Sequence, residues 1–280
     1  QIFDGDCEVG RTAFHTEAES FTLNVRRFGA VGDGVHDDTP AIQAAINCCP
    51  PKGRVLIPAG EYHVLPIFLK SHVRIEIQKG ATLLLETDRS KFPILPGTIF
   101  STDETHDLNL GSWEGNPLDK FASLISAYGV EDAVIYGEGV LDGQADKSDW
   151  WVTPRIRRGA WRPRMFFINN CENVTVQGLS FRNSPAWNLQ PYFSRNLKFL
   201  NINVTAPANS PNTDGFDPES CEHMLLAGAH FSLGDDCIAI KAGKLYMGAK
   251  YKTPCSDLEI SHCLMENGHG GMTCGSEMAG

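Results

Sequence analysis

Five segments of this chain open on a polar residue and continue with alternating apolar ones: residues 132–140, 173–181, 196–204, 223–231 and 257–265. The last four begin at Asn173, Asn196, His223 and Asp257, at intervals of 23, 27 and 34 residues. Such a return marks a stacked repeat, in which each coil buries its apolar side only against the next. With about three short strands per coil, the expected architecture is all-β, a right-handed parallel β-helix. A β-sandwich with turns every eight to twelve residues is the competing reading, and it gives no reason for similar segments to recur at longer spacing.

The rest of the chain agrees. The 27 Gly and 16 Pro are spread along 280 residues, which favours many turns over long helices. One helix is expected, with Asp38 or Thr39 as its cap, Pro40 in its first turn and Ala41, Ile42, Ala45 and Ile46 at helical spacing. It would cover the open first coil. Before it, residues 21–25 alternate like a strand and lead into the turn Gly29-Ala30-Val31-Gly32-Asp33-Gly34, whose glycine spacing fits neither nucleotide-binding pattern. Residues 1–20 read as polar and irregular, the possible tail of a separate module, with the β-helix filling 21–280.

The formal charge of −10 argues against nucleic acid or an anionic membrane surface as partner. No run approaches the roughly 18 apolar residues of a membrane span. Nine cysteines cannot all pair with one another and show no paired metal-ligand spacing, so thiols filling gaps between coils are expected, with a slight lean to a reducing compartment. The chain starts at Gln1 and stops after Gly280, which suggests a piece of a longer protein.

The chemistry lies between the aligned strands, in Asn212-Thr213-Asp214, Gly234-Asp235-Asp236 and Gly268-His269-Gly270. Asp214 and Asp235 are 21 residues apart, about one coil, which places them on adjacent rungs roughly 4.8 Å apart. Asp235 and Asp236 can share a site only at a bend, which Gly234 permits. Three carboxylates so close should raise at least one pKa enough to hold a proton near neutrality. Glycoside hydrolysis needs such a set, a protonated carboxyl for the leaving oxygen and an ionised one for water. Asx turns, or a Ca²⁺ loop, would use the same residues differently.

These three motifs, in this order, resemble the polygalacturonases, glycoside hydrolase family 28. Phe28-Gly29-Ala30-Val31-Gly32-Asp33-Gly34 and the helix after it resemble the start of that family's catalytic domain, a feature shared with other pectin-active β-helices. The resemblance implies a pectin-lyase-like solenoid and metal-free, inverting hydrolysis of α-1,4-galacturonosyl linkages without a cofactor. By motif it makes Asp235 the general acid, gives Asp214 and Asp236 the attacking water, and has His269 tune the acid. Inversion calls for acid and base roughly 6.5–9.5 Å apart. The family's fourth motif, an Arg-x-Lys pair, does not follow the third one here and would be expected beyond Gly280.

A polyanionic substrate needs cations. Lys241, two residues beyond Ala239 and opposite Ile238 and Ile240, is expected to point outward with Cys237 and bind substrate, together with Asn212. Arg162 and Arg164, in a segment that also holds Arg155, Arg157, Arg158, Trp150, Trp151 and Trp161, could grip carboxylates and stack sugars, or form a solvated arm. That insertion and the ending Gly275-Ser276-Glu277-Met278 look like exo-acting bacterial members. A hydrolase of another pectic backbone such as rhamnogalacturonan, a Ca²⁺-dependent lyase and a carbohydrate-binding β-helix remain the alternatives.

Overall fold

The computed structural model describes residues 2–4, 7–10, 21–98 and 109–280. The chain winds as a right-handed parallel β-helix with three faces. The first face is a parallel sheet running from Thr22–Asn24 through Arg54–Ile57 and onward to Ser256–Ser261. The second runs from Asp33–Asp37 to Leu264–Asn267. The third comprises Ile67–Phe68, Ile125–Tyr128, Phe166–Asn169 and Leu189–Tyr192, extended through single bridges at Phe216 to Ile238–Ile240 and Met272–Cys274. Reading 1–20 as a separate module falls largely outside the described residues.

The recurring segments are the first sheet. Val174 pairs with Leu197, Leu197 with Met224 and Met224 with Leu258, which reproduces the intervals of 23, 27 and 34. Their polar first residues share one backbone state: Asp132, Asn173, Asn196, His223 and Asp257 have φ of 55°, 56°, 56°, 55° and 51°. Each coil turns its corner there in the left-handed region, which Asn, Asp and His tolerate best among residues with a side chain. The alternating residues that follow then stack in register. Ile75, Ile135, Val176, Phe199 and Leu226 form one interior column, and Leu83, Leu141, Phe181, Val204 and Phe231 another.

The helix α1 (Thr39–Cys48) buries Ala41, Ile42, Ala45 and Ile46 over the first coil, as expected. Its cap differs: Asp38 makes no capping bond, and its buried carboxylate instead accepts from the amides of Val31 and Gly32 at 2.6 and 3.0 Å. The glycine-rich turn is thus fastened by the chain's own carboxylate. A second helix, α2 (Leu245–Tyr251), was not foreseen. Seven residues with Gly248 inside carry too little periodicity, and the helix exists because the 34-residue coil must fold its excess back onto the solenoid. Gly248 packs so closely on Ala279 that a Cβ there would lie 2.3 Å from its carbonyl carbon.

Among the described residues no cysteine is paired, and Cys49, Cys171, Cys221 and Cys237 are buried. The Cys171 thiol accepts from the Val130 amide and that of Cys221 from the Ser194 amide, each 3.4 Å away on the preceding coil. These thiols fill and bond between coils.

Candidate active site

The three motifs occupy successive corners between the second and third sheets. Phe216 pairs with Ile238, so Asp214, two residues upstream, stands level with Asp236 rather than with Asp235. The rung is therefore one residue longer than the expected spacing, because Asp235 lies in the bend and not in the ladder. In that bend the Asp236 amide donates to the Asp235 carboxylate at 3.0 Å. Gly234 serves close approach more than backbone freedom: a Cβ there would meet the Ser210 carbonyl at 2.3 Å. Its amide is pinned by the Thr213 hydroxyl at 3.1 Å, so the first motif holds the second. Gly270 does the same for the third, since a Cβ would fall 2.8 Å from an Asp236 carboxylate oxygen.

Asp214, Asp235 and Asp236 each offer an oxygen within 4.8 Å of the other two. Asp214 and Asp236 are close because they stand on adjacent strands of one ladder, and the bend brings Asp235 to them. Asp214 is buried and one of its oxygens has no hydrogen-bond partner, while Asp235 and Asp236 are partly exposed. Burial, with the Asp235 carboxylate beside it, pushes the Asp214 carboxyl up to about 7, against the pull of Lys241. His269 stands largely in solvent, its Nδ1 3.3 Å from Asp235 and its amide donating to the Asp235 carbonyl at 3.0 Å.

The carboxylates open into a cleft of about 310 Å³ lined also by Trp113, Glu114, Trp187, Asn212, Lys241 and Glu277. Trp113 stacks between Trp161 and Trp187, with ring centres 4.5 and 6.4 Å away.

The expected cations are placed differently from the sequence reading. Lys241 does stand opposite Ile238, yet it is only 4% exposed, covered by residues 275–277 of the next coil. Its ammonium donates to Glu277 at 2.9 Å, lies 3.6 Å from Asp217 and sits 4.4 Å over the Trp187 ring. Burial alone would lower its pKa, but Asp217, Glu277 and Asp214 outweigh that and raise it. Cys237 is buried in the core and not outward, since the bend breaks the strand alternation. Arg164 is fully buried, donating to Gln190 at 2.9 Å, and Gln190 in turn donates to Glu219 at 3.0 Å. Arg162 clasps three loops: it donates to the carbonyls of Pro185 and Pro211 and, at 2.6 Å, to Asn212. Both arginines therefore hold the site from beneath. The rest of the Arg/Trp segment divides, with Trp150 in the core and Arg155 and Arg157 exposed.

Asp217, Glu219 and Glu277 were not singled out for a role. They sit under the cleft as buried carboxyls around Lys241. Burial, then Glu277, pushes Glu219 up to about 7, and burial, then Asp214, holds Asp217 well above its ordinary range. The second signal missed is the strap, residues 109–119. Its Leu110 carbonyl accepts from Tyr128, Asn109 donates to Tyr192, Ser112 to Glu219, and the Gly115 carbonyl accepts from the Lys244 amide, so it crosses successive coils before presenting Trp113 and Glu114 to the cleft.

Residues 70–280 match the family described as glycosyl hydrolases family 28, and residues 22–77 match rhamnogalacturonase A/epimerase, pectate lyase-like. A probable polygalacturonase of Vitis vinifera is 30% identical over 99% of this chain and 57% of its own length. An endo-polygalacturonase of Pectobacterium carotovorum subsp. carotovorum is 31% identical over 86% of this chain and 59% of its own. Among solved structures, a hyperthermoactive exopolygalacturonase from Thermotoga maritima superposes with a TM-score of 0.77 at 28% identity, covering 92% of this chain and 63% of that one. The chain spans less than three fifths of the length of these two curated relatives.

Proposed function

The chain belongs to glycosyl hydrolase family 28, and from that premise we propose that it hydrolyses α-1,4-galacturonosyl linkages of pectin or oligogalacturonides, releasing units from a chain end. The observation that carries this reading is the set of three carboxylates within 4.8 Å, one of them pushed up to about 7. The Asp214 carboxyl, raised by burial and by the Asp235 carboxylate beside it, holds a proton near neutrality that an isolated carboxyl would not keep. Passed to Asp235, which is partly exposed and next to His269, that proton reaches the glycosidic oxygen and leaves Asp214 ionised. Asp214 and Asp236 then hold the attacking water. Two carboxylate oxygens within 4.8 Å of each other can both accept from a single water between them. Direct attack by this water, which gives its proton to the ionised carboxylates as the glycosidic C–O bond breaks and the protonated leaving oxygen departs, inverts the anomeric centre.

Chain-end action is favoured by the strap, which walls the cleft with Trp113 and Glu114. The deciding experiment incubates the protein with polygalacturonate, with and without a chelator, following reducing ends, unsaturated uronate and the anomer released. Monomer of inverted configuration, without unsaturation and indifferent to chelator, is the expected result. Retention would make one carboxylate a nucleophile. Chelator-sensitive unsaturated product would turn the carboxylates into a calcium site, and turnover only of rhamnogalacturonan would move the substrate.

A further inference from the structure

Among the described residues, a uronate carboxylate entering this cleft meets five acidic side chains, Glu114, Asp214, Asp235, Asp236 and Glu277, and one lining cation, Lys241, which is already held by Glu277. Arg162 and Arg164 are buried beneath, with Arg162 committed to Asn212 and two carbonyls. Lys244 differs from all three. Its side chain is 41% exposed, and its ammonium lies 3.2 Å from the carboxylate of Glu114, a wall residue of the cleft.

That placement is built. The Lys244 amide donates to the Gly115 carbonyl at 3.0 Å, and Gly115, at φ +71°, packs so tightly that a Cβ would lie 2.5 Å from the Lys244 nitrogen and 2.8 Å from Glu277 Cγ. The strap docks where Glu114 and Lys244 face each other. An ion pair this exposed contributes little by itself, so a substrate carboxylate can replace Glu114 at small cost.

We infer that Lys244 is a cation that reads a substrate carboxylate at this wall of the cleft, with Glu114 occupying the carboxylate's place while the cleft is empty. This rests on the proposed action on a uronate chain and deepens it. Glu114 is then an internal competitor, so the two partners of one ion pair have opposite effects on binding.

The test measures KM and kcat for oligogalacturonate with Lys244→Met, Lys244→Arg and Glu114→Gln, at low and high salt. Lys244→Met should raise KM about tenfold, an effect that falls on KM rather than kcat, and flatten its salt dependence. Lys244→Arg should restore most of the loss, and Glu114→Gln should lower KM. If Lys244→Met and Glu114→Gln both weaken turnover alike, the pair is merely structural and the inference is wrong. An unchanged KM in Lys244→Met, with a wild-type protein that cleaves the substrate, would overturn the inference and leave the proposed function standing. A wild-type protein that neither binds nor cleaves oligogalacturonate overturns both.

Discussion

Replacing Asp235 or Asp214 by Asn keeps each side chain's shape and removes its charge and its exchangeable proton. Each variant should lose roughly 10²–10⁴-fold in kcat while keeping the wild-type circular dichroism spectrum, because neither side chain packs in the apolar interior. Unfolding of either one would contradict the placement. The raised Asp214 carboxyl also ties chemistry to stability. From about pH 4 to its folded value of about 7, the native chain holds a proton that the unfolded chain has released. Stability from this group is therefore full below that window and falls as pH rises through it, on the order of 4 kcal/mol at most. Glu219 and Asp217 act in the same direction, while Glu277, held low by Lys241, acts in the opposite sense below about pH 5. The melting temperature should thus be higher at pH 5.5 than at pH 8, and Asp214→Asn should narrow the difference. The three motif residues were legible because carboxylates, glycines and histidine have few reasons to cluster in corners of a β-solenoid. Lys241 was misread because strand alternation gives the side of the sheet but not what covers it.

The strap is the element that walls the cleft, through Trp113 and Glu114. It leaves the solenoid near the pair Ile94–Leu95 and Lys120–Phe121 and reaches Lys244 far along the helix axis. Gly115→Ala places a Cβ against Lys244 backbone and in the left-handed region, so it should lift the strap tip without touching the core. The expected readout is the product pattern on oligogalacturonate, shifting from monomer towards mixed lengths. A pattern still confined to monomer would remove the strap from chain-end selection. Nothing local marked this element, since hydrogen-bond partners of residues 109–119 lie as far as 138 residues away in sequence. The first-sheet strands were legible for the opposite reason. Each begins at a left-handed corner that few residue types accept, so the constraint is written at one position per coil.

At the scale of the whole molecule, stability is a sum over coils and their interfaces, so damage should stay near where it is made. Phe199 lies in the interior between the rings of Phe166 and Phe216, 6.0 and 4.8 Å away. Phe199→Ala should cost about 3–5 kcal/mol by chemical denaturation, with amide exchange accelerating in the coils around it, including the rung of Asp214, more than around α1. Uniform acceleration from end to end would mean a single cooperative core instead. The sequence by itself determined the solenoid, its coil lengths and the three motifs, because stacking forces the same side-chain period and the same corner conformation to recur at every turn. Only the tertiary structure decided that Asp214 stands level with Asp236, that Lys241 is locked under Glu277, and that a distant strap walls the cleft. Those depend on which coil lies beside which, and on chain segments whose contacts leave no period in the sequence.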